Sequence, residues 1–257
     1  MKNNSVKLFN WLGLMIGNSR LHWAWFQGKN LQETWESEHV SVVIEELPNE
    51  ILPFRLTAQS SSQLPLYIAS VVPQQTTFWQ TYTNAKLITL EQIPLTGIYS
   101  TMGIDRALEV WGTGITWGFP CLVIDAGTAL TFTGVDRDRI LVGGAILPGL
   151  KLQLKSLAIK TAALPEVSLP KNLPQRWALA TPEAIESGII YTILAGINDF
   201  IQAWRTKFPE SSIALTGGDA ALLLRYLQVQ YPEIAQKLVV DSNLIFLGMS
   251  ACLLASL

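Results

Sequence analysis

The chain carries a short apolar run over residues 12–16, then the turn residues Gly17, Asn18 and Ser19, then Leu21, Trp23 and Trp25 alternating with His22, Ala24 and Phe26. An apolar run, a bend and a period-two segment predict strand, turn, strand. The same grammar returns further on: Leu122-Val123-Ile124, then Asp125-Ala126-Gly127-Thr128, then Leu130, Thr131, Phe132 and Thr133. Superposing the bends aligns Gly17-Asn18 with Gly127-Thr128, an offset of 110 residues in a chain of 257. Two such hairpins at nearly half-chain spacing predict a duplicated domain.

Between the hairpins, residues 59–63 read as a polar, serine-rich loop, and 65–72 and 86–90 as strands. Residues 102–112 predict a helix with Ile104, Ala107, Leu108 and Trp111 on one face and Thr101 as its cap. Gly118-Phe119-Pro120 supplies a connection, which divides the chain into domains 1–118 and 119–257. In the second, 140–142 reads as a strand, 143–149 as a glycine-rich turn region, and 150–160 as a helix. Thr181-Pro182-Glu183 marks a helix start, with the hydroxyl as cap, and that helix should reach about residue 208. A strand over 212–215, the turn Thr216-Gly217-Gly218-Asp219 and a helix over 220–230 complete an α/β pattern.

Composition narrows the function classes. The chain is 49% hydrophobic and 15% charged, as expected when sheets are covered on both faces. A net charge of −2 leaves no basic surplus for nucleic acid. Two cysteines without a CxxC pair, and two histidines, support neither a disulfide framework nor a zinc site, which suits a reducing, cytoplasmic setting. The apolar stretch 9–16 follows Lys2 and Lys7 but has no small-x-small cleavage pattern, so it reads as a buried strand. The apolar stretch 244–257 is 14 residues, short of the roughly 20 that span a bilayer. Gly248, Ser250 and Ala251 suit helix packing, and no membrane segment is expected.

Several positions could carry chemistry. Glycine with a hydroxyl residue at a hairpin bend presents backbone N–H groups and an O–H to a phosphate, and two facing hairpins can grip a nucleotide. Asp125 ends an otherwise apolar strand, so it either caps its own turn or holds a cation. Gly103-Ile104-Asp105-Arg106 opens a helix; off its apolar face, Asp105 and Arg106 read as a solvated acid and a surface arginine. Against that reading, Asp105 is the first aspartate of the chain and, if the first half contributes an aspartate to catalysis, its one candidate. Thr216-Gly217-Gly218-Asp219 is either a glycine-capped helix start or a place where a planar ring meets the backbone. Gly143-Gly144 and Pro148-Gly149 are loop punctuation or close backbone approaches, and Lys151 and Lys155 read as solvated.

Taken in order, these motifs resemble type III pantothenate kinases from end to end. That family's pattern is a D-x-G-N-[ST] hairpin, G-x-D-R, D-x-G-T, G-G-x-I-x-P-G, T-x-x-A-I-x-S-G and T-G-G. Here the six read Met15-Ile16-Gly17-Asn18-Ser19, Gly103 to Arg106, Asp125 to Thr128, Gly143 to Gly149, Thr181 to Gly188 and Thr216-Gly217-Gly218. The resemblance implies two duplicated ribonuclease-H-like, actin-like domains, each a mixed sheet with flanking helices. It implies ATP-dependent phosphorylation of pantothenate, the first step toward coenzyme A, by a homodimer with Mg2+ and K+ or NH4+. By position, Asp105 would be the general base, and Gly103, Ile104, Asp105, Arg106 and Thr181 would hold pantothenate. Met15, Ile16, Gly17, Asn18, Ser19, Arg20, Leu21, His22 and Thr128 would surround the ATP phosphates, and Asp125 would hold the monovalent cation.

The chain departs from the family pattern at Met15, in place of the first hairpin's aspartate, and at Thr96, where a tyrosine is common; Tyr99 lies three residues out of register. A thioether does not substitute for a carboxylate at a hard cation. Two rival readings follow: a non-catalytic nucleotide-binding or regulatory relative, and a kinase of another hydroxylated substrate.

Overall fold

A computed structural model describes residues 9–57 and 64–254. The serine-rich segment 59–63, with Lys2 and Lys7, lies outside the described residues. By packing the chain forms two units: Met1–Pro94 with Tyr99–Leu108 and Ile245–Leu257, and Leu95–Ile98 with Glu109–Leu244.

The first unit is built on β1 (Asn10–Ile16), in which every residue after Asn10 is buried. A strand buried on both faces must be apolar throughout rather than alternating, which is why 11–16 reads as a continuous run. It pairs antiparallel with β2 (Leu21–Gln27), and β2 with β3 (Asn30–Ser37). On its other side β1 pairs parallel with β4 (Leu66–Ser70), and β4 with β5 (Ala85–Leu87), giving the order β3-β2-β1-β4-β5. Two short helices, α1 (Phe54–Thr57) and α2 (Pro73–Trp79), accompany the sheet. Its core gathers Leu12, Leu14, Ile16, Trp23, Leu56 and Trp79, with Trp23 and Trp79 edge to face at 5.0 Å. A 3₁₀ turn, Leu90–Gln92, then leads toward α3 (Ile104–Trp117).

The second unit repeats the plan. β6 (Cys121–Ala126), β7 (Ala129–Val135) and β8 (Leu141–Pro148) form an antiparallel meander. β9 (Ser212–Thr216) and β10 (Leu238–Val240) join parallel on the other side, giving β8-β7-β6-β9-β10. Both sheets therefore share strand order and sense. Met15 and Asp125 occupy equivalent positions: each is the next-to-last residue of its central strand, opposite His22 and Ala69 in one sheet and Thr131 and Thr216 in the other.

Around the second sheet lie α4 (Leu150–Lys160), α5 (Thr181–Lys207), α6 (Ala220–Gln230) and the single turn α7 (Pro232–Ala235). Among the described residues, α5 alone is long and apolar enough to cross a membrane, but Ile185, Ile190, Ile193, Leu194, Ile197 and Ile201 are buried in the core of this unit. The expected hydroxyl cap is absent: Ala180 is the cap position, and Thr181 is the first helical residue. The glycine-rich 143–149 is also not a turn. Residues 141–148 form one edge strand, whose side chains alternate between partly buried and exposed; an edge position tolerates Pro148 at its end.

The last helix, α8 (Leu244–Leu254), departs from the expected domain split, since the first unit takes the chain from Ile245 onward. The reason is close packing. A Cβ on Gly13 would meet Phe246 and Met249 at 3.4 and 3.5 Å, and one on Gly248 would lie 2.0 Å from the backbone oxygen of Leu108. Gly248→Ala should therefore force α8 away from α3 and destabilise the protein by about 1–3 kcal/mol in urea unfolding. A Gly248→Ala protein as stable as the parent would remove this contact from the account.

Candidate functional site

At the second hairpin, three turns interlock at the end of β6. The N–H of Gly127 donates to the Ala129 carbonyl at 3.0 Å, that of Gly149 to the Thr128 carbonyl at 2.9 Å, and that of Asp219 to the Ala126 carbonyl at 2.9 Å. Glycine is required at two of these places. A Cβ on Gly149 would lie 2.2 Å from the Gly127 oxygen; one on Gly217, whose φ is +92°, would lie 2.3 Å from Asp125 Oδ1. Ala126, Gly127, Gly149 and Asp219 line the small hollow that results. Bare backbone and a bend hydroxyl, Thr128, which is exposed, are what a phosphate cradle needs. Asp125, half-buried against Gly217 and in register with Thr131 and Thr216, offers oxygen donors only, a set that fits a hard cation such as K+.

Lys151 is solvated as expected, and it also reaches across this junction to a buried partner. Its Nζ lies 2.6 Å from Oδ1 of Asp219, a residue 7% exposed. The pair is 68 residues apart in sequence, so only folding reveals it.

In the first unit, the Gly17 N–H donates to the Arg20 carbonyl at 3.1 Å and closes the first bend. His39 Nε2 lies 2.9 Å from the Gly17 carbonyl oxygen and, as the donor, carries the ring proton. Both histidines of the chain thus flank this hairpin, the other being His22, whose Nδ1 lies 3.2 Å from Glu36. Arg20 pairs with Glu38 at 3.2 Å. Asn18, Ser19 and Arg20 are exposed, and Gly17 and His22 partly so, whereas the side chains of Met15, Ile16 and Leu21 are buried. Those three can serve a nucleotide only through backbone or by packing beneath it. Among the described residues no three His, Cys, Asp or Glu side chains cluster as a metal site, and buried Met15 adds no hard ligand.

The start of α3 overturns the solvated reading of Asp105 and Arg106. Arg106 is 5% exposed and its Nη1 donates to the Tyr99 hydroxyl at 2.9 Å, so the tyrosine that looked out of register reaches the arginine after all. Asp105 Oδ1 accepts the Arg106 N–H at 2.8 Å, and Gly103 is bare because a Cβ there would lie 2.3 Å from the same oxygen. Burial pushes the Asp105 carboxyl above the ordinary carboxylate value, opposed in part by the Arg106 N–H and charge. Gly103 to Arg106 belong to the same unit as the first hairpin; Asp125, Thr128 and Thr181, the last exposed, belong to the other. The two thiols are no nucleophiles at neutral pH: Cys121 and Cys252 are buried, which pushes each up to about 12.

Two sheets of one topology, each central strand ending in a glycine hairpin, define the duplicated actin-like, sugar-kinase fold. Solved structures agree on the fold. A conserved Baf family protein from Campylobacter jejuni matches at a TM-score of 0.63 and 20% identity, over 95% of this chain and 98% of its own. The activator of 2-hydroxyisocaproyl-CoA dehydratase from Clostridium difficile, solved with bound ADPNP, matches at 0.51 and 12%, over 95% and 94%.

Sequence comparison goes further. The type III pantothenate kinase family model matches residues 11–203. A type III pantothenate kinase of Nostoc sp. (strain PCC 7120) is 52% identical over 255 residues, covering 93% of this chain and 92% of that protein. One from Synechocystis sp. (strain PCC 6803) is 47% identical over 243 residues, covering 94% and 89%. The chain belongs to the type III pantothenate kinase family.

The raised Asp105 carboxyl has a consequence for stability. A group whose folded pKa exceeds its unfolded one favours the folded state at low pH, and that contribution is lost as pH rises from the ordinary carboxylate value through the folded one. Asp105→Asn, neutral at every pH, should then melt at a higher temperature than the parent at pH 7 and show a smaller gain at pH 4. A lower melting temperature at pH 7 would show that the ionised carboxylate is a net structural asset.

Proposed function

We propose that the chain phosphorylates pantothenate from ATP to give 4'-phosphopantothenate, the entry step to coenzyme A, in the cytoplasm. The observation that carries this reading is the Asp105–Arg106 pair on the first turn of α3: a carboxylate of raised proton affinity beside a buried, tyrosine-held guanidinium. Asp105 accepts the proton of the primary hydroxyl as its oxygen bonds to the γ-phosphorus. The bond from that phosphorus to the bridging oxygen breaks, and ADP leaves. A base of raised pKa is better matched to neutral pH than an ordinary aspartate. Arg106 offers a forked pair of donors to the substrate carboxylate, with Gly103, Ile104 and Thr181 completing the pantothenate contacts.

This reading assigns the bend from Met15 to His22 and the Thr128 hydroxyl to the ATP phosphates, where phosphoryl transfer depends on positioning and charge compensation. Asp125 would hold K+ or NH4+, which would supply fixed positive charge there. Met15 would offer Mg2+ no ligand, so the nucleotide's own phosphates would have to hold that ion. A homodimer is supported by β8, an edge strand that leaves Val142 and Ile146 exposed.

A coupled assay of ADP release tests the reading. Release should require pantothenate and proceed faster in K+ or NH4+ than in Na+. Asp105→Asn should lower kcat by roughly 10²–10⁴-fold, and Arg106→Lys should raise KM for pantothenate more than KM for ATP. Position 15 favours one rival, a non-catalytic relative: a parent protein without turnover that gains none from Met15→Asp would establish it.

A further inference from the structure

We propose that Lys151 is a nucleotide-binding residue of the second hairpin and that Asp219 positions it, an inference that rests on the kinase reading. An exposed lysine paired with an exposed acid would mean little, because such pairs contribute almost nothing and rearrange freely. This pair is lopsided. The Lys151 side chain is 72% exposed while that of Asp219 is 9% exposed, and Asp219 is fastened by its own N–H to the Ala126 carbonyl at 2.9 Å, one residue before the bend. The acid is therefore part of the turn scaffold, and the ammonium is the part left to solvent.

The placement is specific. Lys151 stands two residues after Gly149, whose N–H is bonded to Thr128, so the lysine stem starts at the bend and its tip is tied to the neighbouring turn. An ammonium has three N–H donors, and the contact with Asp219 uses one. Two carboxylates, Asp125 and Asp219, belong to this same junction and would repel a polyphosphate; a held cation offsets that field. A neutral Asn at 219 could have closed the turn without burying charge. A buried aspartate instead requires its cation, which fixes the lysine where phosphate arrives.

The test separates this role from a purely structural staple. Titration of the parent and variants with the non-hydrolysable analogue AMPPNP, without pantothenate, gives Kd; melting of the ligand-free proteins gives stability. Lys151→Met should weaken AMPPNP binding by about tenfold to a hundredfold, the worth of one charge-assisted hydrogen bond. It should raise KM for ATP in parallel, with KM for pantothenate nearly unchanged. Lys151→Met also strands a buried carboxylate and lowers the melting temperature. The double variant Lys151→Met/Asp219→Asn removes both charges and should regain stability without regaining affinity. Recovery of both, or parent-like AMPPNP binding by Lys151→Met, overturns the proposal. A parent that binds AMPPNP but shows no pantothenate-dependent turnover sinks the kinase reading, while the Kd series still decides Lys151. A parent that does not bind AMPPNP overturns both.

Discussion

Each unit depends on one central strand with no face left for water. β1 and β6 are covered above and below and paired on both edges, parallel on one side and antiparallel on the other. Such a strand excludes polar side chains along its length, so polar function can begin only where it ends. Both strands end in a glycine bend, and the residues suited to phosphate or cation lie at those bends. The duplicated topology thus supplies two chemically similar edges from one packing solution. Differences between them, Met15 against Asp125 above all, arose without disturbing the sheets.

Much of this was legible in the sequence because the signals were local. Central strands read as unbroken apolar runs, and the bends carried glycine next to Asn or Thr. The 110-residue offset of the hairpins follows directly from the duplication of the sheets. α4 and α6 have the bounds expected of them, because glycine stands just before each, Gly149 before α4 and Gly217-Gly218 before α6. β3 was missed: its alternation carries Glu33 and Trp35 on the partly buried side and no continuous apolar signal. The strand 141–148 was misread because its glycines resemble a loop until β7 is in place to pair with them.

The site was legible as motifs and illegible as environments. Asp105 and Arg106 stand off the apolar face of α3 by helical periodicity, yet burial there comes from elements that periodicity cannot place. Arg106 is held by Tyr99, seven residues earlier, and a register-based expectation at Thr96 looked in the wrong place. Lys151 and Asp219 are separated by α5 and β9, so no window along the chain could join them.

The allegiance of α8 bears on the order in which the molecule can be made. The first unit is completed by a contact of very high sequence separation, since α8, from Ile245 onward, packs on Gly13 and Leu108. The second unit needs no such return: apart from Leu95–Ile98 it is the unbroken run Glu109–Leu244. Loop closure costs entropy before a distant contact stabilises anything, so the helix on Gly13 belongs among the contacts that form late.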